Sequence, residues 1–506
     1  MAARTLMVQG TASHVGKSVL VTALCRLFAR RGVKVAPFKA QNMSNNSFVT
    51  PDGREIGRAQ AVQAAACRLA PRTDFNPVLI KPSGERTAQM VVNGQVAGQL
   101  HASDFGRIKR DHWPVVCEAF ARLAGEFDLV VLEGAGSPAE INLRDRDIVN
   151  MAMAQEARAP VILAGDIDRG GVFAALVGTL ALLAPEDRAH VKGFLINKFR
   201  GDADLLAPGV KMVEARCGIS CLGVVPHWRD LRVPQEDSLG WEEPSSFSRS
   251  LHASPVTLHE FLTIGVVDLP AISNFTDFDA LACEPDVRLV RVAGPITHRL
   301  DALIFPGTKH TADALRFVKE RKLDLAARQV LEAGGTVVGL CGGFQLLGRR
   351  ILDPDQVESS AVELEGLGLL NVTTSFARDK VTVGVSGRHL ASGCPVEGYE
   401  VHMGRTSLEA GAVPWLEVRA PGESAVRPEG AGSEDGLVLG TYVHGLFDAP
   451  EFRRVFLNGL RERHGWAPLP VQPGTSLDER IDGLADFMAK HLDLAAIDAI
   501  LERGIS

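Results

Sequence analysis

Cys341 stands where a thiol would have to stand to attack an amide. The apolar, strand-like run Thr336-Val337-Val338-Gly339-Leu340 ends on Cys341, Gly342 and Gly343, and Phe344, Gln345 and a helical stretch follow. A strand–turn–helix elbow exposes the residue at its tip in a strained turn, and small neighbours leave room for substrate. A helix N-terminus favours thiolate over thiol, and the N–H of Gly342 is placed to help hold an oxyanion. Two other strand ends supply partners: Phe305-Pro306-Gly307-Thr308 offers a second oxyanion donor at Gly307, and Gly440-Thr441-Tyr442-Val443-His444-Gly445 offers a base, His444. A thiol beside a base is what acyl transfer from an amide requires. Taken singly, Cys341 also fits a buried small hydrophobe and His444 a hydrogen-bonded turn residue. The elbow, the Pro-Gly turn and the histidine together favour catalysis.

A second chemistry is written near the start. Gly10-Thr11-Ala12-Ser13-His14-Val15-Gly16-Lys17-Ser18 follows a strand and opens a helix. Glycines let backbone N–H groups turn inward around phosphate oxygens, and the helix N-terminus adds positive potential. Lys17 can reach the β and γ phosphates of ATP, and the Ser18 hydroxyl can ligate Mg²⁺. The loop carries one residue more between its glycines than the common G-x-x-x-x-G-K-[ST] pattern. Asp128 to Gly136 reads Asp-Leu-Val-Val-Leu-Glu-Gly-Ala-Gly, which places a second Mg²⁺ ligand, Glu133, at the end of a buried strand.

The elements around these residues set the fold class, an α/β chain. The first half alternates short aliphatic strands with helical stretches: Leu6 to Val8, Val33 to Phe38, Leu129 to Glu133, Val161 to Gly165, Gly193 to Asn197 and Leu222 to Val225 read as strands. Continuous apolar runs suit strands buried on both faces, so a doubly wound parallel sheet with a P-loop is expected. A Pro-, Ser- and Glu-rich stretch follows and reads as a linker. A second α/β series then has strands at Thr263 to Val267, Arg288 to Val292, Ala302 to Phe305, Thr336 to Leu340 and Leu437 to Tyr442. The expected blocks are a P-loop domain over 1–231, a linker over 232–259, a second α/β domain over 260–460 and a helical tail over 461–506. In that tail Ile481, Leu484, Met488 and Leu492 share a helix face that packs on the body of the protein.

The 506-residue length fits several domains, and a net charge of −7 argues against a general nucleic-acid binder. No apolar run is long enough to span a bilayer and the first residues do not read as a signal peptide, so no membrane or secretory role is expected. Eight cysteines in so long a chain do not make a disulfide framework, and a reducing cytoplasm is the expected compartment.

Both halves resemble known families. The long phosphate loop and the Glu133-Gly134-Ala135-Gly136 run are similar to those of dethiobiotin synthetase and its relatives, which activate carboxylates with ATP. Asn197, before Lys198 at a strand end, resembles the base-recognition Asn of that group; a polar strand cap is the alternative. The second half resembles the class I glutamine amidotransferases. That resemblance implies that Cys341 attacks the glutamine amide and that Gln345, four residues on, helps hold it. The usual Glu two residues after the His is replaced by Leu446, a departure that the cobyric and cobyrinic acid branch of the family shares, so the resemblance implies a Cys–His pair, and a third member, if there is one, comes from elsewhere in the chain.

Three further strings narrow the resemblance. They are Lys39-Ala40-Gln41-Asn42-Met43-Ser44-Asn45-Asn46, Gly57-Arg58-Ala59-Gln60-Ala61 and Asp166-Ile167-Asp168-Arg169-Gly170-Gly171. With the loop and the elbow they resemble, nearly end to end, the cobyric acid branch of enzymes that fuse these two domains. That implies amidation of the b, d, e and g side-chain carboxylates of adenosylcobyrinic acid a,c-diamide, with ATP, Mg²⁺ and glutamine. Lys39, Arg54, Arg58 and Arg169 are cations suited to a polycarboxylated corrinoid. Gln41, Asn42, Asn45 and Asn46 suit amides or carboxylates, or form a solvated polar loop, and Asp166 is a candidate for Mg²⁺ or for orienting a nucleophile. The alternatives are a cobyrinic acid a,c-diamide synthase, against which the Gln-Asn-Met-Ser-Asn-Asn segment speaks, and a ParA/MinD-like switch with an inactive glutaminase-like domain.

Overall fold

The computed structural model describes residues 3–82, 87–101, 105–228, 233–234, 260–359, 361–472 and 476–505. The expected linker lies almost wholly outside the described residues. The chain forms two compact units. Met1–Ser44, Glu55–Asp237 and Thr475–Ser506 make one, and Asn45–Arg54 and Ser238–Gly474 make the other. The end of the tail therefore belongs with the first unit, and a short N-terminal segment belongs with the second. Contiguous blocks drawn from composition anticipate neither exchange.

The first unit is built on a six-stranded parallel sheet. Its spatial order is Ser220–Pro226, Val191–Phe199, Val161–Asp166, Arg4–Gly10, Leu129–Glu133, Val35–Phe38. Arg4–Gly10 is central, paired with Leu129–Glu133 on one side and Val161–Asp166 on the other. Val8 faces Glu133 and Gly10 faces Ala164, so the chain leaves the sheet at Gly10 between two carboxyl strand ends. This is where the strand order changes direction, the usual ligand position in an open α/β sheet. The helix Lys17–Arg30 carries the loop's last residues back over the sheet, with Leu20, Leu24 and Phe28 buried. Against it lie Ile481, Leu484 and Met488 of the helix Leu477–Ala489, and Leu492 just beyond it, all in one apolar cluster. Arg30 bonds Asp486 at 2.6 Å and Arg31 bonds Asp498 at 2.9 Å. The tail is two helices, because the side chain of Asp493 accepts from Ala496 N and starts a second one, Leu494–Arg503. Gln41–Met43, for which a solvated polar loop is one of two readings of the sequence, is a short strand parallel to Val78–Ile80 in a separate four-stranded sheet.

The second unit holds a seven-stranded sheet in the order Val287–Val292, Leu262–Val267, Ala302–Phe305, Thr336–Leu340, Val438–Thr441, Ala431–Ser433, Ala412–Val413. The first five run parallel. Phe305 is level with Gly339 and Leu340 with Thr441. Three neighbouring strands therefore end together, and the turns beyond them carry Gly307, Cys341 and His444. A second sheet contains the long antiparallel pair Val372–His389 and Pro395–Leu408. Its Tyr399 exchanges both backbone hydrogen bonds with His444, N to O at 3.2 and 2.9 Å. Among the described residues no helix is long and apolar enough to cross a membrane.

Candidate active site

The elbow is strained as its sequence demands. Cys341 has φ 51° and ψ −111°, a backbone region that residues with a Cβ seldom enter. The two glycines after it are required by contact. A Cβ on Gly343 would lie 2.0 Å from the Phe305 carbonyl oxygen, and one on Gly342 would lie 2.6 Å from Thr308 Cγ2. A Cβ on Gly307 would lie 3.2 Å from His444 Cε1 and 3.7 Å from Cys341 Cβ. The Pro-Gly turn, the cysteine and the histidine thus converge on one point. Cys341 keeps 8% of its surface exposed, and its sulfur lies 3.7 Å from the Val401 carbonyl oxygen.

The imidazole of His444 is held from several sides. Its Nδ1 lies 2.8 Å from Oδ2 of Asp277, and Oδ1 of the same carboxylate accepts from Gly445 N at 2.9 Å. An ionised carboxylate only accepts, so Nδ1 carries a proton. Both side chains are buried. The Tyr399 ring stacks on the imidazole with centroids 5.4 Å apart. Nε2, the other nitrogen, is buried without a well-formed hydrogen bond and faces the Cys341 thiol. Burial alone would lower the imidazole's pKa; the charges on Asp277 and Cys341 outweigh it and push His444 up to about 10. The arrangement favours the protonated form of the imidazole next to the cysteine sulfur. Gln345 is buried next to them, its Oε1 accepting from Thr311 Oγ1 at 2.7 Å and its Nε2 donating to Tyr442 OH at 3.3 Å.

In the first unit the phosphate loop folds around the same kind of constraint. Gly16 has φ 96° and His14 φ 61°. A Cβ on Gly10 would lie 2.5 Å from Val15 Cγ2. Thr11 N donates to Ala164 O, tying the loop to the neighbouring strand. Lys17 Nζ donates to Ala12 O at 3.0 Å and Gly136 O at 3.1 Å, curled over the loop's mouth. Ser18 Oγ donates to Glu133 Oε1 at 2.8 Å, so the two expected Mg²⁺ ligands are adjacent. Glu133 also receives Lys39 Nζ at 2.9 Å and Gln63 Nε2 at 2.5 Å. Asn197 lies against the loop, its Nδ2 donating to Val15 O at 2.8 Å.

The remaining candidates are distributed unevenly. Lys39 is buried in the Glu133 pair, and Asn42 is buried with its Nδ2 on Gln60 Oε1 at 2.9 Å. Gln41 and Arg58 are half-buried, Arg58 opening the helix Arg58–Ala66. Arg169 is exposed in the turn before Gly170 and Gly171. Asp166 accepts from Lys198 Nζ at 2.9 Å. Asn46 lies in the second unit, where its Oδ1 accepts from Phe275 N at 3.1 Å.

Residues 6–239 match the CobQ/CobB/MinD/ParA nucleotide binding domain, and residues 263–452 match the CobB/CobQ-like glutamine amidotransferase domain. A cobyric acid synthase of Dehalococcoides mccartyi is 47% identical, with 99% of each chain covered. Those of Photorhabdus laumondii and Klebsiella pneumoniae are each 47% identical, over 97% and 98% of both chains respectively. The chain belongs to the cobyric acid synthase family.

For this cobyric acid synthase family member, Asp277 answers what holds the imidazole when Leu446 takes the place of the usual Glu. It precedes His444 by 167 positions and sits in the short turn Phe275–Phe278, next to Asn274 in the left-handed region (φ 54°). The sequence reads as a Cys–His pair, and the fold adds the carboxylate; spacing could not single it out among 61 acidic residues. Asp277→Asn should lower kcat for glutamine hydrolysis roughly 10²-fold. The pH profile should move too. The imidazolium that protonates departing ammonia exists below its pKa and is lost above it, and Asp277 raises that pKa, so it extends activity toward alkaline pH. Without the carboxylate the imidazolium is less favoured and the alkaline limb moves to lower pH. A profile unchanged in the variant would remove Asp277 from this role.

Proposed function

We propose that the chain makes primary amides on a corrinoid: it hydrolyses glutamine in the second unit and uses the nitrogen on carboxylates activated by ATP in the first. The observation that carries this reading is the Cys341–His444–Asp277 arrangement on a strained elbow, in a chain that also folds a phosphate loop with Ser18 on Glu133. Cys341 Sγ attacks the carboxamide carbon of glutamine, and the N–H groups of Gly342 and of the Gly307 turn receive the oxyanion. The His444 imidazolium gives its Nε2 proton to the leaving nitrogen, releasing ammonia and a thioester. Water then cleaves the thioester, and glutamate departs. Gln345, fixed by Thr311 and Tyr442, presents its amide to the bound glutamine.

In the first unit a carboxylate oxygen takes the γ-phosphoryl group of ATP. The acyl phosphate has a good leaving group where the carboxylate had none; ammonia displaces phosphate and an amide remains. The loop N–H groups from Gly10 to Gly16, with Thr11 and His14, and Lys17 cradle the phosphates. Asn197, which holds the loop through Val15 O, is assigned to the nucleotide's base. A hydroxyl and a carboxylate 2.8 Å apart suit a hard cation that keeps most of its water, so Ser18 and Glu133 would hold Mg²⁺, which neutralises phosphate charge. Lys39, Gln41, Asn42, Arg58 and Arg169 are assigned to the corrinoid's carboxylates and amides, with Lys39 also holding Glu133.

The proposed substrate is adenosylcobyrinic acid a,c-diamide and the proposed sites are its b, d, e and g carboxylates. Incubation with ATP, Mg²⁺, glutamine and this corrinoid should give a mass ladder ending at four added amides. A product from the undiamidated acid that stops at two would assign the chain to cobyrinic acid a,c-diamide synthesis instead.

A further inference from the structure

The segment Asn45–Arg54 lies, in sequence, between stretches of the first unit, yet it is part of the second. Within the second unit it is joined to the turn that carries Asp277. Asn46 Oδ1 accepts from Phe275 N at 3.1 Å, and Asn274 Oδ1 accepts from Ser47 N at 3.0 Å. The two asparagines thus make a reciprocal clasp, each side chain capping the other strand's backbone. All four polar atoms belong to residues that are buried. A second tie runs to the face of the imidazole. Tyr399 OH donates to Ser47 O at 3.0 Å, Phe48 packs on the Tyr399 ring at 5.3 Å, and that ring stacks on His444. Val49 and Val401 complete a small apolar cluster there.

We propose that Asn46 is a positioning residue for glutamine hydrolysis: with Asn274 it fixes the Phe275–Phe278 turn so that Asp277 meets His444 Nδ1. The chain of contacts is short. Asn46 holds the N–H of Phe275, two residues before Asp277; Asn274, in the left-handed region, starts the same turn. A buried N–H that loses its acceptor carries the full desolvation cost, so the turn would shift to find another partner. A shift of one ångström at a catalytic carboxylate is enough to cost a large factor in rate. The groups that face the imidazole are Asp277 and Cys341, which are ionisable and adjacent, and the stacked Tyr399. Asn46 carries no charge and acts only through the geometry of Asp277. The residue therefore serves the glutaminase although it is encoded among the first unit's residues, in the string that resembles corrinoid-binding sequence.

The inference rests on the glutaminase reading above, and its test separates the two. In the full-length protein, Asn46→Ala should lower kcat for glutamine hydrolysis about tenfold, with KM for glutamine nearly unchanged and the alkaline limb of kcat moved to lower pH. Amidation driven by added ammonia should stay at the wild-type rate. Asn46→Asp keeps an oxygen for the Phe275 N–H and should recover most of the loss. Placed in an Asp277→Asn background, Asn46→Ala should add little, because both act on the same imidazole. An unchanged kcat, an effect on KM alone, or a full tenfold loss repeated in the Asp277→Asn background would overturn the assignment. If the wild type hydrolyses glutamine and any of these three results appears, only the role of Asn46 fails. If the alanine variant is insoluble, the aspartate variant is compared with Asn46→Leu by the same kcat and pH readout.

Discussion

Cys341→Ser should remove glutamine as a nitrogen source and leave ammonia as one. Glutamine hydrolysis should fall on the order of 10³-fold or more, while amidation of the corrinoid with added ammonia should continue at the wild-type rate. Serine beside a His–Asp pair is a working nucleophile in other enzymes, so the loss needs its own reason. A hydroxyl does not ionise by itself and must hand its proton to a neutral imidazole. Here burial opposes the charge on His444, but the charges on Asp277 and Cys341 outweigh it and favour the protonated ring. Serine removes one of those two charges and keeps the other, so the remaining ring is still a poor base at neutral pH. The elbow itself should survive, because its constraint lies in Gly342 and Gly343 pressed on the Phe305–Thr308 turn, not in the sulfur. Initial rates of glutamate release, measured beside ammonia-dependent product formation, decide the matter. Loss of both activities would mean that the substitution disrupts more than the nucleophile.

Sequence and structure agree wherever one strand brings its chemistry with it. Thr336–Leu340 and Ala302–Phe305 have the expected bounds, and Cys341 and Gly307 follow from them directly. His444 is legible for the same reason, standing three residues past Thr441, which is level with Leu340. The P-loop was readable because glycines, lysine and serine are consecutive. Asp277 was not, because its role depends on a turn folding back across more than a hundred residues onto another strand's end. Asn46 was misleading in a different way. Its neighbours form a polar string that invites a ligand-binding reading, and only the fold shows that its amide oxygen is taken by a backbone N–H. The antiparallel pair Val372–His389 and Pro395–Leu408 is not legible in the sequence because burial along it does not alternate cleanly: Arg378, Asp379 and Lys380 interrupt the first strand where its register slips between Phe376 and Val381. The exchange of segments between units was hidden too, since apolar spacing places Leu484 on a buried face without saying whose.

Lys17→Met should produce the converse of the cysteine variant. Amidation should fall roughly 10²- to 10³-fold with either nitrogen source, while glutamine hydrolysis stays within a few-fold of wild type. The lysine is 7% exposed and its ammonium now rests on Ala12 O and Gly136 O, two carbonyls at the mouth of the loop. Incoming phosphates offer full negative charge in place of those dipoles, and the ammonium turns to them. Methionine keeps the unbranched stem that packs beneath the loop and removes only the charge. The loop should keep its shape, since Gly10, Gly16 and the tie from Asn197 to Val15 do not involve that nitrogen. What is lost is the positive charge that stabilises the phosphoryl group in transit, a requirement of carboxylate activation whatever supplies the ammonia. Labelling the corrinoid carboxylates with oxygen-18 gives an independent readout: the wild type should pass one labelled oxygen to each phosphate released, and the variant should do so only at its reduced rate. Ammonia-driven amidation at wild-type speed in Lys17→Met, or phosphate without label from the wild type, would show that the acid is not activated by phosphorylation at this loop.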